Sequence, residues 1–119
     1  MNSVKLKMTK IVVYVFLSTF LAFVGISTQA AGSIKAGRDK AQMCATCHGL
    51  DGKSKVPEAP NLAGQIESYI VGQLRAFKSG ERKNEQMSVI AQALSQQEIQ
   101  DLAAYFSAIE VTVGKIPSD

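Results

Sequence analysis

The chain has 119 residues, 46% of them hydrophobic, with 13 Lys+Arg against 10 Asp+Glu, two cysteines and a single histidine. Length and apolar content suit one small domain. The formal charge of +3 does not mark a nucleic-acid binder, because Lys5, Lys7 and Lys10 all sit in an N-terminal leader and the rest of the chain balances at 10 basic against 10 acidic residues.

The leader comes first. Its three lysines are followed by an uncharged apolar run, IVVYVFLSTFLAFVGI (11–26), and then by the small and polar residues Ser27, Thr28, Gln29, Ala30 and Ala31. A positive segment, an apolar stretch and small residues in that order predict a secretory signal peptide over 1–30, cut after Ala30. A membrane-spanning helix needs about 20 apolar residues, and this run is shorter. The leader has no cysteine for a lipid. Contact with a membrane is expected only if the leader stays attached, and the functional domain is expected over 31–119.

Residues 32–45 carry Ile34, Ala41 and Ala45 among Lys35, Arg38, Asp39 and Lys40, which predicts a short helix running into Cys44. The stretch GLDGKSKVPEAPNLAG (49–64) has the glycine and proline content of a loop. In 66–78, Ile66, Tyr69, Ile70, Leu74 and Phe77 share a helical face that ends before Ser79 and Gly80. GERKNEQ (80–86) reads as a charged turn, and 89–94 as a short apolar helix.

The last helix is the clearest. Ser95 and Glu98 form a capping box, in which the hydroxyl accepts a free backbone amide and the carboxylate answers back. Ile99, Leu102, Ala103, Phe106 and Ile109 then recur at helical spacing, with Gln100, Asp101 and Ser107 off the stripe. The tail 111–119 is too short for a confident strand, and nothing else alternates. The fold class is all-α.

Chemistry concentrates in MCATCHG (43–49), where Cys44 and Cys47 are followed at once by His48. A structural zinc site needs four N or S ligands, and the domain offers only these three. A thioredoxin-like dithiol needs a strand-to-helix junction that the pattern lacks. Simple packing of two cysteines and a histidine is disfavoured by the polar, loop-flanked setting. CxxCH in an exported chain reads as covalent haem attachment. One helical turn between the cysteines lets both sulfurs reach the vinyl groups of one porphyrin, and His48 then stands beneath the iron.

With no second histidine, the other axial ligand must be of another kind. Met1 and Met8 belong to the leader and Met43 adjoins Cys44, so Met87 is the methionine able to cross over. It is expected to follow the 80–86 turn and precede the apolar helix. The alternative is an open or water-bound iron, which would suit gas binding. A histidine and a thioether together would leave no site for a substrate and would suit transfer of single electrons at a raised potential. Ile66, Ile70, Leu74, Val89, Ile90, Leu94 and Leu102 are expected to form an apolar shell around the group.

These segments together resemble a class I monohaem cytochrome c, of the small bacterial periplasmic c-553 type and the single domains of related dihaem proteins. The resemblance rests on CATCHG, PNLAGQ (60–65), YIVGQLRAFKSGER (69–82), Met87 and LSQQEIQDLAAYFSAI (94–109) in that order. It implies three to five short helices wrapped around one covalently attached haem c. Cys44 and Cys47 would be its anchors, and His48 and Met87 its iron ligands. It further implies that the Pro60 carbonyl, or failing that Pro57, accepts the imidazole N–H. Gly37 would lie where the first and last helices cross, against Tyr105 or Phe106.

The implied function is a periplasmic single-electron carrier, with redox proteins as donor and acceptor, no catalytic residues, and a monomeric or weakly dimeric state. Alternatives are a haem c subunit of a periplasmic dehydrogenase and a ligand-binding sensor haem. Lys53, Lys55, Lys78, Arg82 and Lys83 would surround the haem crevice and could steer an acidic partner.

Overall fold

Ser33 opens the first described helix, its hydroxyl accepting the Ala36 N–H at 3.3 Å in the manner of an N-cap. The computed structural model describes residues 30–117, and the leader and the cleavage point expected within and at the end of 1–30 therefore lie essentially outside the described residues. Helix α1 (Ile34–Lys40) tightens into a 3₁₀ turn (Ala41–Cys44) and then a single turn, α2 (Ala45–His48). The helix read over 32–45 is thus broken in two. The tighter turn leaves Ala41 fully buried in the core, while Cys44, Cys47 and His48 face a cleft.

After the long loop come α3 (Glu67–Ser79), α4 (Glu85–Gln92) and α5 (Gln96–Ser107). No strand occurs among the described residues. Helix α5 packs against both α1 and α3, and α3 also packs against α4. Ile70, Val71, Leu94, Ile99, Leu102 and Phe106 form the core at the junction of these elements. The capping box at Ser95 and Glu98 is present in full.

The α1–α5 contact is a close backbone crossing at Gly37. A β-carbon there would run into the main-chain carbonyl of Asp101 and approach the Tyr105 Cβ at 2.8 Å, so only glycine lets the helices meet at this distance. Two side-chain links hold the same pair together. Lys40 Nζ pairs with Glu98 at 2.6 Å. The Asp101 carboxylate accepts the Ser33 N–H at 2.7 Å and a Gln97 amide N–H at 3.0 Å.

Three local details add to or differ from the sequence reading. Asp101 lies off the apolar stripe of α5 and is nevertheless buried, because its carboxylate satisfies the free backbone donor at the start of α1. Ile66 precedes α3 rather than joining its stripe and is 67% exposed. Met87 does not lie between a turn and a helix; Asn84 caps α4 through the Gln86 and Met87 amides at 3.1 and 2.9 Å, which starts the helix at Glu85 and puts Met87 in its first turn.

Candidate functional site

The residues singled out in the sequence converge on one cleft of about 580 Å³, lined among others by Cys44, Cys47, His48, Pro60 and Met87. This volume lies within the ordinary range for a small-molecule or cofactor site, roughly 300–1,000 Å³.

The CxxCH segment is set by backbone geometry. Gly49 ends α2 with φ 71°, a left-handed conformation that side chains resist, and a β-carbon there would meet the Lys53 carbonyl at 2.5 Å. The chain therefore turns sharply straight after His48. The loop that follows is irregular but pinned. Lys55 N–H donates to the Cys47 carbonyl at 2.8 Å, Leu62 N–H to the Gly52 carbonyl at 2.8 Å, and Gly64 N–H to the Phe106 carbonyl at 3.0 Å. Helix α5 supports the turn from behind, with the Tyr105 hydroxyl donating to the Leu50 carbonyl at 2.7 Å.

This folding brings Pro60 back beneath the histidine. His48 is buried, and its Nδ1 lies 2.9 Å from the Pro60 carbonyl oxygen. A carbonyl can only accept, so Nδ1 carries the proton and Nε2 keeps its lone pair for a metal. Pro57 takes no part in that bond. The Cys44 thiol is pushed up to about 11, chiefly by burial; Lys40 opposes the shift and Cys47 adds to it. A thiol so held is not a redox-active thiolate at neutral pH. Among the described residues no three His, Cys, Asp or Glu side chains gather in a way that could hold a metal ion by themselves.

The wall of the cleft is apolar. Ile70, Leu74, Ile90, Leu94 and Leu102 line it, joined by Phe77 and Phe106 from α3 and α5. Val89 does not, being 71% exposed on the outer face of α4, and neither does Ile66. The apolar shell expected from the sequence contains no aromatic residue; Phe106 belongs both to the core and to the cleft wall. Besides His48 and Tyr69, the polar side chains lining the cleft are Glu58, Asn61, Gln65, Gln73, Arg82, Asn84, Glu85 and Gln86. Two thiols, a histidine with its tautomer fixed, a methionine and a largely hydrocarbon wall fit a flat, apolar, iron-bearing macrocycle.

Comparison with known proteins agrees with that chemistry. The family model described as Cytochrome c matches residues 34–109, a span that takes in every element from α1 to α5. The chain belongs to the cytochrome c family. As a cytochrome c with the CxxCH spacing, it binds haem c covalently through Cys44 and Cys47.

Among its relatives, this cytochrome is similar to cytochrome c4 of Pseudomonas aeruginosa, at 40% identity over 107 residues, covering 90% of this chain and 52% of the relative. It is also similar to cytochrome c-554(548) of Halomonas halodenitrificans, at 42% identity over 83 residues, covering 67% of this chain and all of the relative. The crystal structure of reduced recombinant cytochrome c4 from Pseudomonas stutzeri matches with a TM-score of 0.65 at 41% identity, covering 71% of this chain and 49% of that one. The chain thus spans about half the length of the cytochromes c4 it matches.

The five cations expected around the crevice are not equivalent. Lys55 pairs with Asp51 at 3.0 Å. Lys78 Nζ donates to the Gln92 and Leu94 carbonyls at 2.9 and 2.6 Å, tying α3 to the α4–α5 corner. Arg82, Lys53 and Lys83 are all exposed, and of these three only Arg82 lines the cleft.

Proposed function

We propose that this cytochrome is an exported single-electron carrier whose haem iron takes His48 on one face and Met87 on the other. When bound, haem c supplies an iron that alternates between the ferrous and ferric states. The observation that carries the reading is a single cleft containing His48, with Nδ1 held 2.9 Å from the Pro60 carbonyl, together with Met87 in the first turn of α4. Pro60 fixes the imidazole plane and raises its basicity toward iron. Asn84 and Lys78 fix the two ends of the segment bearing Met87. Met43, the other described methionine, adjoins Cys44 and is 41% exposed.

An imidazole and a thioether would fill both axial positions, so no exogenous ligand or substrate has a vacant site. The thioether favours the ferrous state, and the apolar wall from α3, α4 and α5 excludes water and acts in the same direction. The protein therefore acts as an electron-transfer protein and not as an enzyme, receiving from and passing to other redox proteins. Export rests on the leader pattern over 1–30, which would deliver the domain over 31–119 to the periplasm, where haem is attached. No helix among the described residues is long and apolar enough to cross a membrane.

The test is carbon monoxide binding to the reduced holoprotein, after a pyridine haemochrome spectrum has shown c-type haem. A closed iron leaves the ferrous spectrum unchanged on exposure to the gas. A stoichiometric shift of the Soret band would contradict His48/Met87 closure and favour the sensor reading.

A further inference from the structure

Asp101 is a buried carboxylate that electron transfer does not use. It is only 7% exposed, and burying a charge is costly unless a partner charge or hydrogen bonds offset it. Its Oδ1 accepts both the Ser33 N–H at 2.7 Å and the Gln97 side-chain N–H at 3.0 Å. Its Oδ2 accepts nothing among the described residues. No enclosed side-chain oxygen there goes without a partner, so Oδ2 keeps an opening to the surface. The cations of α1 are engaged elsewhere. Lys35 pairs with Asp39 at 3.1 Å and Lys40 with Glu98 at 2.6 Å, while Arg38 is exposed and forms no ion pair with Asp101. Among the described residues Asp101 therefore has no counter-ion.

The chain that lies against this carboxylate is the start of the domain expected over 31–119. Gln97, Gln100, Asp101 and Ala104 share one side of α5 at helical spacing, and residues 31–33 run along it. The Gln97 side chain donates to the Ala31 carbonyl at 3.5 Å. At Gly32 a β-carbon would meet the Gln100 carbonyl carbon at 2.6 Å and the Ala104 Cβ at 2.8 Å, so bare backbone sits directly on the helix. Ser33 follows with its N–H on Asp101. Two residues of chain span at most about 7 Å, which keeps the Ala31 nitrogen close to the same carboxylate. Rotation about the Ala31 Cα–C bond swings that nitrogen while the carbonyl stays on Gln97.

We propose that Asp101 binds the α-ammonium of the processed chain, so that removal of the leader supplies the missing counter-ion. Cleavage after Ala30 is hydrolysis of the 30–31 peptide bond. Water gives its OH to the Ala30 carbonyl carbon, and the Ala31 nitrogen leaves as an amine. An ordinary α-amine has a pKa of about 7.7–8.0, so at neutral pH it takes up a further proton and carries a positive charge. In the uncut chain the same nitrogen is a neutral amide, and Asp101 stays buried without a cation. Processing thus clasps the entry to α1 onto α5. The crossing it strengthens is the one that leads into Cys44, and the clasp closes only in a chain that has been exported and cut.

This inference rests on export with cleavage after Ala30, which the intact mass of the exported holoprotein reads first. A chain that does not begin at Ala31 overturns the cleavage site and the clasp with it. For a chain that does, transamination with pyridoxal phosphate converts the α-amine to a ketone, removing this one charge and sparing every side chain. Urea midpoints are then compared for the amine and ketone forms of the unaltered holoprotein and of Asp101→Asn, whose side-chain oxygen can still accept the Ser33 N–H. The expected result is a lower midpoint for the ketone form of the unaltered protein and equal midpoints for the two forms of Asp101→Asn, the mark of a direct coupling. Equal midpoints in the unaltered protein, or the same fall in both proteins, overturn the clasp and leave the cleavage site standing. If Asp101→Asn yields no holoprotein, the Ala31 amine decides alone. Followed by NMR in the reduced holoprotein, it should titrate above the ordinary α-amine range, because a neighbouring carboxylate favours the ammonium. Titration within or below that range overturns the proposal.

Discussion

Gly37 on α1 lies against the main-chain carbonyl group of Asp101 on α5, so close that a β-carbon at Gly37 would sit 2.5 Å from the Asp101 carbonyl carbon. The crossing joins the segment that leads into CxxCH to the helix that braces the loop behind it. Fold and cofactor site are therefore coupled through a place where no side chain fits.

Gly37→Ala gains about 1 kcal/mol of helix propensity but forces the two backbones apart. Overpacking of this kind costs roughly 1–3 kcal/mol, and here the obstacle is main chain, which cannot rotate away. The expected outcome is net destabilisation, read as a lower urea midpoint of the holoprotein. A midpoint equal to or above that of the unaltered protein would show that the helices separate freely.

The Lys40–Glu98 pair at the same crossing gives the fold an acid-sensitive clasp. The Lys40 ammonium first, and the Ser95 amide second, hold the Glu98 carboxyl at about 2, against an ordinary value of 4.5. A depressed folded value means that this contribution is complete above about pH 4.5 and fades as pH falls toward 2. The pair is partly exposed to solvent, so its contribution is about 1 kcal/mol or less. Glu98→Gln keeps a capping-box residue at the same helix position and loses the ion pair. Stability measured across that pH range should decline less steeply in the variant, with the two proteins converging near pH 2. Parallel curves would remove Glu98 from the account.

Much of the fold is legible in the sequence because the relevant signals are local. The Ser95 and Glu98 spacing, the stripe from Ile99 to Phe106, and the glycines and prolines of the 49–64 loop each act over a few residues. The site is legible for a different reason: CxxCH is a chemical requirement compressed into five positions, and a lone histidine leaves few choices for a second ligand. What escapes local reading is decided by partners distant in the chain. Asp101 looks like a surface residue until Ser33, 68 positions away, supplies the N–H it accepts. Arg82 looks like a free solvated charge, but its exposed guanidinium lies over the Phe77 ring and donates to the Gln73 side chain. Val89 fits an apolar helix pattern, yet its face of α4 has nothing to pack against.

Asn84 offers a way to loosen the Met87 segment without touching Met87 itself. Its side-chain oxygen accepts from the Gln86 and Met87 amides at 3.1 and 2.9 Å. Asn84→Ala leaves both donors without that partner and should cost about 1 kcal/mol, within the usual range for a lost N-cap. If Met87 is an iron ligand, the loss also weakens its hold on the metal. Ferric Asn84→Ala holoprotein should therefore bind added imidazole more tightly than the unaltered protein, at equal His48 occupancy. Equal imidazole affinity would mean that the cap stabilises α4 alone.

The central claim is that Met87 closes the iron opposite His48, and the ferric spectrum of Met87→Ala tests it most directly. With haem c still attached through Cys44 and Cys47, the account predicts loss of the low-spin, thioether-ligated spectrum, appearance of a water-bound or high-spin iron, and a marked fall in reduction potential. A low-spin spectrum and a potential identical to those of the unaltered protein would contradict it.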